Sequence, residues 1–182
     1  MKDYLLVQKI KNGDTDAWEL LVNKYYDRIF SYCVRRCFGD RVLAADLTQD
    51  IFLKLIENIN RYRFTGKFHN YLFTIAVNTC RNHFSKKKFK EEQLEDYLYF
   101  DKEERKRDTL VIQEEEQLVQ QALDQLNENQ KEAILLKYFY DFKVKEIAKI
   151  MGTSVPTTQS RIHQGMKKLE GILNRKEFDN VQ

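Results

Sequence analysis

Cations and aromatic rings alternate in one short segment, and together they could bind single-stranded nucleic acid. Around Gly66 the sequence reads RYRFTGKFHNY over residues 61–71. Cations neutralise phosphates, and aromatic faces stack on bases that have left a duplex. Further polar and basic residues follow at spacings of three to four, which would place them along one side of a helix. The predicted single-strand site comprises Arg61, Arg63, Phe64, Lys67, Phe68, Asn78, Arg81, Asn82 and Lys86. The competing interpretation is that Phe68 and the apolar residues after it are core, while the cations face solvent.

A second pattern, KEIAKIMGTSVPTTQSRI, predicts a helix-turn-helix. Gly152 suits the tight turn, Ser154 suits the N-cap, and Pro156 is tolerated in the first helical turn. On the last helix Val155, Thr158, Ile162, Met166 and Leu169 should face inward. The opposite face carries groups suited to base edges and phosphates in a major groove: Thr157, Gln159, Ser160, Arg161, His163, Gln164 and Lys167. A hairpin that serves only packing is the alternative.

A third candidate surface lies on the helix predicted over 43–60. On a helical wheel the apolar residues collect on one broad face, which should be core: Leu47, Ile51, Phe52, Leu55, Ile56 and Ile59. The opposite face is acidic around one leucine and consists of Asp46, Gln49, Asp50, Leu53 and Glu57. Such a face could dock a basic protein partner. An ordinary solvated face with one stray leucine is the alternative.

Residue types that would indicate an enzyme do not form a recognisable pattern. His69, His83 and His163 have no metal-ligand spacing with Cys33, Cys37 and Cys80. The sequence contains neither a phosphate-cradling glycine loop nor a nucleophile elbow. We therefore expect no catalytic residues, no metal and no cofactor.

The elements that must position these residues are predicted to be helices. The 182 residues include one proline and six glycines, and no segment alternates with a period of two. Helices are expected over 3–11, from about residue 14 to Cys37, over 43–60 and over 68–88. LVQQALDQL, NQKEAILLKYFY, VKEIAKIMG and SVPTTQSRIHQGMKKLEGIL continue the pattern. Asn127 and Gln130 suggest a capping box. The fold class is all-α, with two small helical domains.

Charge divides the chain more clearly than composition does. Residues 1–90 hold 17 Lys/Arg against 9 Asp/Glu, residues 91–116 hold 4 against 11, and residues 117–182 hold 10 against 8. We therefore predict a basic domain over 1–90, an acidic linker over 91–116 and a second domain over 117–182. No apolar stretch is long enough to span a bilayer, and the N-terminal residues do not suggest a secretory signal. An odd number of cysteines, three, fits the cytoplasm.

Four motifs in order resemble the sigma-70 family, specifically sigma factors of the extracytoplasmic-function (ECF) group, which carry regions 2 and 4. They are GDTDAWELLVNKYYDRIFSY, AADLTQDIFLKLIENINRY, GKFHNYLFTIAVNTCRNHF and LNENQKEAILLKYFYDFKVKEIAKIMGTSVPTTQSRIHQGMKKL. Together they cover roughly residues 10–90 and 115–172. The resemblance implies a sigma factor that binds core RNA polymerase, directs it to −35/−10 promoters and promotes DNA melting.

The resemblance also implies a role for each surface. The acidic face at 46–57 would dock on the β′ clamp helices. The segment from residue 61, including Asn78, would bind the opened −10 strand. The helix-turn-helix would read the −35 element and sit against the β flap. The linker would thread toward the RNA exit path, and a membrane-bound anti-sigma factor is a further expected partner. A two-site DNA-binding regulator that does not join polymerase is the alternative function.

Three departures from the family pattern stand out. Tyr71 replaces a common tryptophan, and Lys143 replaces the usual Ser or Thr before the first helix of the turn motif. Residues 164–166, Gln-Gly-Met, occupy a stretch that is usually basic and contains alanine. Gly165 inside a helix should cost about 1 kcal/mol relative to alanine, and the sequence offers no reason for it.

Overall fold

A computed structural model describes residues 2–64, 66–94 and 114–179. All regular secondary structure in these ranges is helical, which confirms the predicted all-α class. The chain divides into two compact units, Met1–Asp108 and Thr109–Gln182. Most of the predicted acidic linker, residues 95–113, lies outside the described residues. Both ends of the predicted linker are helical, because the flanking helices extend to residue 94 and from residue 114.

The described residues of the first unit form four helices and one short 3-10 turn. They are α1 (Asp3–Lys11), α2 (Asp16–Arg36), α3 (Arg41–Asn58), the 3-10 turn Ile59–Arg61, and α4 (Phe68–Leu94). Asp14 accepts a hydrogen bond from the Ala17 N–H at 3.1 Å, and this bond lowers the pKa of Asp14. Asp40 caps α3 in the same way through the Leu43 N–H at 2.9 Å. Short polar side chains therefore begin both helices where orphan backbone donors need acceptors.

The core of the first unit lies between α2, α3 and α4. Leu21 and Ile29 of α2, Ile51 of α3, and Leu72 and Phe73 of α4 are fully buried. The three cysteines, Cys33, Cys37 and Cys80, are buried in this core as well. Their burial accords with cysteine acting as a small apolar residue.

In the part of the second unit that the structure describes, there are four helices and a π turn. They are α5 (Glu114–Asp124), α6 (Glu128–Ile134), the π turn Leu135–Phe139, α7 (Val144–Met151) and α8 (Val155–Asp179). Helix α8 packs against α5, α6 and α7. The turn between α7 and α8 is the predicted one: Gly152 is left-handed, with φ +63°, and the Ser154 hydroxyl accepts from the Thr157 N–H at 3.2 Å. Gly152 and Ser154, from which the helix-turn-helix was predicted, therefore form its turn and its N-cap.

Two other helix starts are capped differently from the sequence expectation. Lys143 begins α7 without a hydroxyl, and the Glu146 carboxylate accepts from the Lys143 N–H at 2.9 Å instead. At α6, Asn127 accepts from the Gln130 N–H at 2.9 Å, but the Gln130 side-chain amide donates to Gln164 at 3.4 Å. Only half of the predicted capping box forms, because the glutamine side chain turns toward α8.

The prediction that Ile56 and Met166 lie in the core is wrong. Ile56 of α3 is 48% exposed and Met166 of α8 is 38% exposed. Each lies at the border of the apolar stripe of its helix. An apolar residue at such a border can face water at modest cost.

A buried ion pair joins α5 to α6. The Lys131 Nζ lies 2.6 Å from the Asp124 Oδ1, and only 1% of the Lys131 side chain is exposed. Gln120 donates to the same oxygen at 2.9 Å. Because charged groups are seldom buried without partners, this pair should matter for the stability of the second unit.

Close helix packing explains Gly165. A Cβ placed on it would lie 3.0 Å from Cγ1 and 3.3 Å from Cδ1 of Ile134, which is itself buried in α6. A Cβ on Gly171, in the same helix, would meet nothing within 4 Å. Gly165 therefore allows α8 to approach α6, whereas Gly171 is not needed for packing.

We expect the two alanine substitutions in α8 to have different effects on the free energy of unfolding. Gly171→Ala should stabilise the second unit by up to about 1 kcal/mol, because alanine is the better helix former. Gly165→Ala gains the same propensity but overpacks against Ile134, at about 1–3 kcal/mol. It should therefore be neutral to destabilising by about 2 kcal/mol. Urea unfolding followed by far-UV circular dichroism measures both. Equal stabilisation by the two variants would show that Ile134 moves aside without cost.

Candidate polymerase and nucleic-acid interfaces

The acidic residues of α3 form one continuous exposed face. Asp46, Gln49, Asp50, Leu53 and Glu57 recur at helical spacing, and all five are exposed. Leu53 is 49% exposed, and Ile56 adds a second exposed apolar side chain. We call the five residues the α3 face. Carboxylates around exposed aliphatic groups can bind a partner that offers both cations and apolar surface.

Loop 61–67 carries exposed cations beside an aromatic cluster. Arg61, Arg63 and Lys67 are exposed, and Phe64 is 42% exposed. The Phe64 ring meets the Tyr62 ring edge-on, with centroids 5.5 Å apart. Tyr62 is buried and stacks on Tyr71 at 4.3 Å. The loop therefore presents one ring to solvent on a base of packed rings, as a stacking platform requires.

Phe68 does not belong to this surface. Its side chain is fully buried beneath Tyr25 and Tyr62, with ring centroids 5.6 Å away in each case. A ring with no accessible face cannot stack on a base, so the prediction that Phe68 contacts DNA is wrong. The sequence pattern did not separate the two phenylalanines, because both lie next to cations.

Tyr71, at the position where the family often has tryptophan, has a packing role. It is half-buried, and its ring lies against Tyr62 and, at 6.2 Å, against Phe68. Burial raises the pKa values of both Tyr62 and Tyr71, so both hydroxyls stay neutral. A tyrosine at position 71 therefore still makes aromatic contacts with Tyr62 and Phe68.

Helix α4 continues the candidate site beyond the loop. Asn78, Asn82 and Lys86 are exposed and Arg81 is partly exposed. Spacings of three to four place these residues on neighbouring turns of one helix. On the other side of α4, Thr79 accepts a hydrogen bond from Lys54 of α3 at 3.0 Å, which ties the helix to the core. The polar row is therefore held on a rigid element, as a binding site needs.

Helix α8 presents the predicted recognition face. Six of its residues are exposed and Arg161 is partly exposed; the full set is Thr157, Gln159, Ser160, Arg161, His163, Gln164 and Lys167. The Gln164 amide donates to the Ser160 hydroxyl at 3.2 Å while its carbonyl accepts from Gln130. Thr158, one residue along from Thr157, is buried and bonds the Ser154 carbonyl at 2.9 Å. The polar face is thus oriented by contacts on its inner side.

Family models match these two regions of the chain. One model, Sigma-70 region 2, matches residues 21–90, which contain the α3 face, loop 61–67 and the row on α4. The other, Sigma-70 region 4, matches residues 116–169, which contain the helix-turn-helix. The chain belongs to the sigma-70 family. It is an RNA polymerase sigma factor of the ECF group, as its sequence motifs predicted.

Curated relatives align with this sigma factor over nearly its whole length. The RNA polymerase sigma-H factor of Pseudomonas aeruginosa is 29% identical over 182 residues, covering 94% of each chain. The ECF sigma factor SigW of Bacillus subtilis is 29% identical and covers 90% of this chain and 92% of its own. Because both matches cover nine-tenths or more of each chain, the likeness extends over most of both proteins.

Solved structures agree on the fold. CnrH, determined in complex with the cytosolic domain of CnrY, matches with a TM-score of 0.69 and 21% identity over 95% of this chain and 97% of its own. RpoE of Bartonella quintana, determined with the anti-sigma factor NepR, matches with a TM-score of 0.68 and 20% identity over 86% and 96%. At 20% and 21% identity, the similarity to these two structures shows a shared fold and nothing more.

Two further observations bear on the sequence predictions. Within residues 2–64, 66–94 and 114–179, no helix is long and apolar enough to cross a membrane. In the same ranges, no group of three His, Cys, Asp or Glu side chains could hold a metal ion.

Sequence reasoning also missed one residue: Tyr4 of α1, whose ring meets Phe64 edge-on at 5.4 Å. No motif pointed to it, because 60 positions separate the two rings.

Proposed function

We propose that this sigma factor performs initiation with three separate surfaces. The α3 face binds the β′ clamp helices of core polymerase. Loop 61–67 and the polar row on α4 bind the opened −10 strand. The recognition face of α8 reads the −35 element, while the second unit contacts the β flap. The observation that carries the proposal is that these predicted residues, Phe68 excepted, are at least partly exposed inside the regions that the family models match.

Strand capture explains why the first unit holds the surplus of cations. Unstacking a base step costs a few kcal/mol, and contacts to the freed strand must offset that cost. Arg61, Arg63 and Lys67 are exposed on the same short segment as the Phe64 ring, so the segment offers phosphate and base contacts together. The face on α8 reads intact duplex and has fewer cations, since base-edge hydrogen bonds carry its specificity.

The chain supplies no chemistry of its own in this proposal. It is not an enzyme and needs no metal or cofactor, because positioning the polymerase and opening the duplex are binding events. It acts where promoter DNA lies, in the cytoplasm. We further propose an anti-sigma partner, by analogy with the NepR complex of the Bartonella quintana protein. Such a partner would compete with core polymerase for the α3 face.

Run-off transcription tests the proposed function. Core polymerase with the purified chain should give transcripts with defined 5′ ends from a fragmented genomic library of the source organism. Core polymerase alone should give none of these ends. The chain alone should bind promoter duplex weakly, and a protein that bound DNA tightly without polymerase would instead be a two-site regulator. Absence of any specific transcript would refute the proposal.

A further inference from the structure

The N-terminal helix is fixed to the strand-binding loop. Helix α1 precedes the segment that the region 2 model matches, which starts at residue 21. The Lys11 ammonium donates to the Tyr62 carbonyl at 2.6 Å, just before Arg63 and Phe64. At the other end of α1, the Tyr4 ring lies 5.4 Å from the Phe64 ring in an edge-on contact. Helix α1 and the loop therefore form one surface.

Tyr4 and Phe64 expose large parts of their rings side by side. Tyr4 is 49% exposed and Phe64 is 42% exposed, although aromatic side chains are usually covered. Tyr62 and Tyr71 pack behind Phe64 and support it from the core. The two outer rings therefore extend the aromatic cluster outward from a rigid base.

Hydrogen bonds next to Tyr4 hold its backbone in place. The neighbouring Asp3 carboxylate accepts from the Tyr25 hydroxyl at 2.7 Å and from the Lys24 ammonium at 2.5 Å. Burial, and then the bond to Asp3, raises the pKa of Tyr25, so its hydroxyl remains a donor. The N-terminus of α1 is thereby anchored to α2, which reduces the ordering cost when a ligand binds.

The exposed cations that flank the two rings in the sequence indicate the class of ligand. Lys2, Arg61, Arg63 and Lys67 are all exposed on α1's N-terminal flank and on the loop. Exposed aromatic faces among cations favour single-stranded nucleic acid over an apolar protein segment. We propose that Tyr4 is a second base-stacking residue of the −10 site, which receives an unpaired base next to the one at Phe64. The proposal rests on the proposed function of loop 61–67.

The test measures binding of holoenzyme to the single non-template strand of a promoter found by run-off transcription. Stacking contributes enough per base that Tyr4→Ala should weaken this binding between about fivefold and a hundredfold. Tyr4→Phe keeps the aromatic face and should bind within about twofold of the wild type. Leu5→Ala is the matched control, because Leu5 is the next residue of α1 and is 48% exposed; it should leave binding unchanged.

A fourth variant separates stacking from support of Phe64. Tyr4→Leu keeps an apolar side chain against Phe64 but has no aromatic face, so it should bind as weakly as Tyr4→Ala. Wild-type binding by Tyr4→Leu or by Tyr4→Ala would overturn the proposal. Loss of core polymerase affinity in Tyr4→Ala, measured in the same preparation, would overturn it as well. Failure of the wild type to give any transcript would instead refute the proposed function.

Discussion

Asp50→Lys is expected to abolish binding of this sigma factor to core polymerase, with an affinity loss of about a hundredfold or more. A reversed charge places like charges together at the interface, which costs several kcal/mol, and each 1.4 kcal/mol is a tenfold change. Leu53→Asp should have a comparable effect, because it puts a carboxylate at the apolar centre of the α3 face. Both side chains are exposed, so neither change should disturb the fold.

Native gel shift or co-purification with core polymerase measures the loss, and far-UV circular dichroism checks that helicity is retained. Two control variants make the same changes on α2. Asp27→Lys reverses an exposed charge, and Leu20→Asp replaces a leucine that is 51% exposed, against 49% for Leu53. Both controls should bind normally. Wild-type affinity in Asp50→Lys and Leu53→Asp would exclude the α3 face as the polymerase contact.

The second large effect is expected at the buried pair of the second unit. Asp124→Ala removes the carboxylate 2.6 Å from the Lys131 ammonium, whose side chain is almost fully buried. Breaking a buried ion pair by removing one partner costs about 3–5 kcal/mol in the free energy of unfolding. Because Lys131 lies on α6, against which α8 packs, loss of the pair should also weaken −35 recognition.

Urea unfolding of the full chain tests the effect. Glu170→Ala is the matched control: it removes an exposed carboxylate from α8 and should change the stability by less than about 0.5 kcal/mol. The double variant Asp124→Leu/Lys131→Met should regain much of the lost stability, since a well-packed apolar pair can replace an ionic one. A loss below about 1 kcal/mol in Asp124→Ala would contradict this account.

The proposed strand-binding surface depends both on the cations of the first unit and on the packing of α1 against loop 61–67. The cations of the first unit were visible in the sequence, but the pairing of two exposed rings beside them depends on contacts between α1 and loop 61–67. A truncated protein that began at Gly13 would keep all four motifs of the family. It would lack Tyr4 and the Lys11 hydrogen bond to the loop, so the proposed strand-binding surface would lose the part that α1 contributes.

The all-α class, the helix-turn-helix and the family could be predicted from the sequence. Helical periodicity, Gly152, Ser154 and the order of the four motifs are local properties, and local interactions decide them. For the same reason the exposed residues of the α3 face and of α8 were assigned to the correct side of each helix.

Which residues at the border of an apolar stripe are covered depends on the packing of the whole chain. Phe64 and Phe68 have the same residue type and similar neighbours, yet one is exposed and the other is the centre of a core. Ile56 and Met166 face water, Gly165 lies closely against Ile134, and Tyr4 meets Phe64. Each of these outcomes depends on how closely another helix approaches, and the distance between helices is a property of the packed chain that no local pattern encodes.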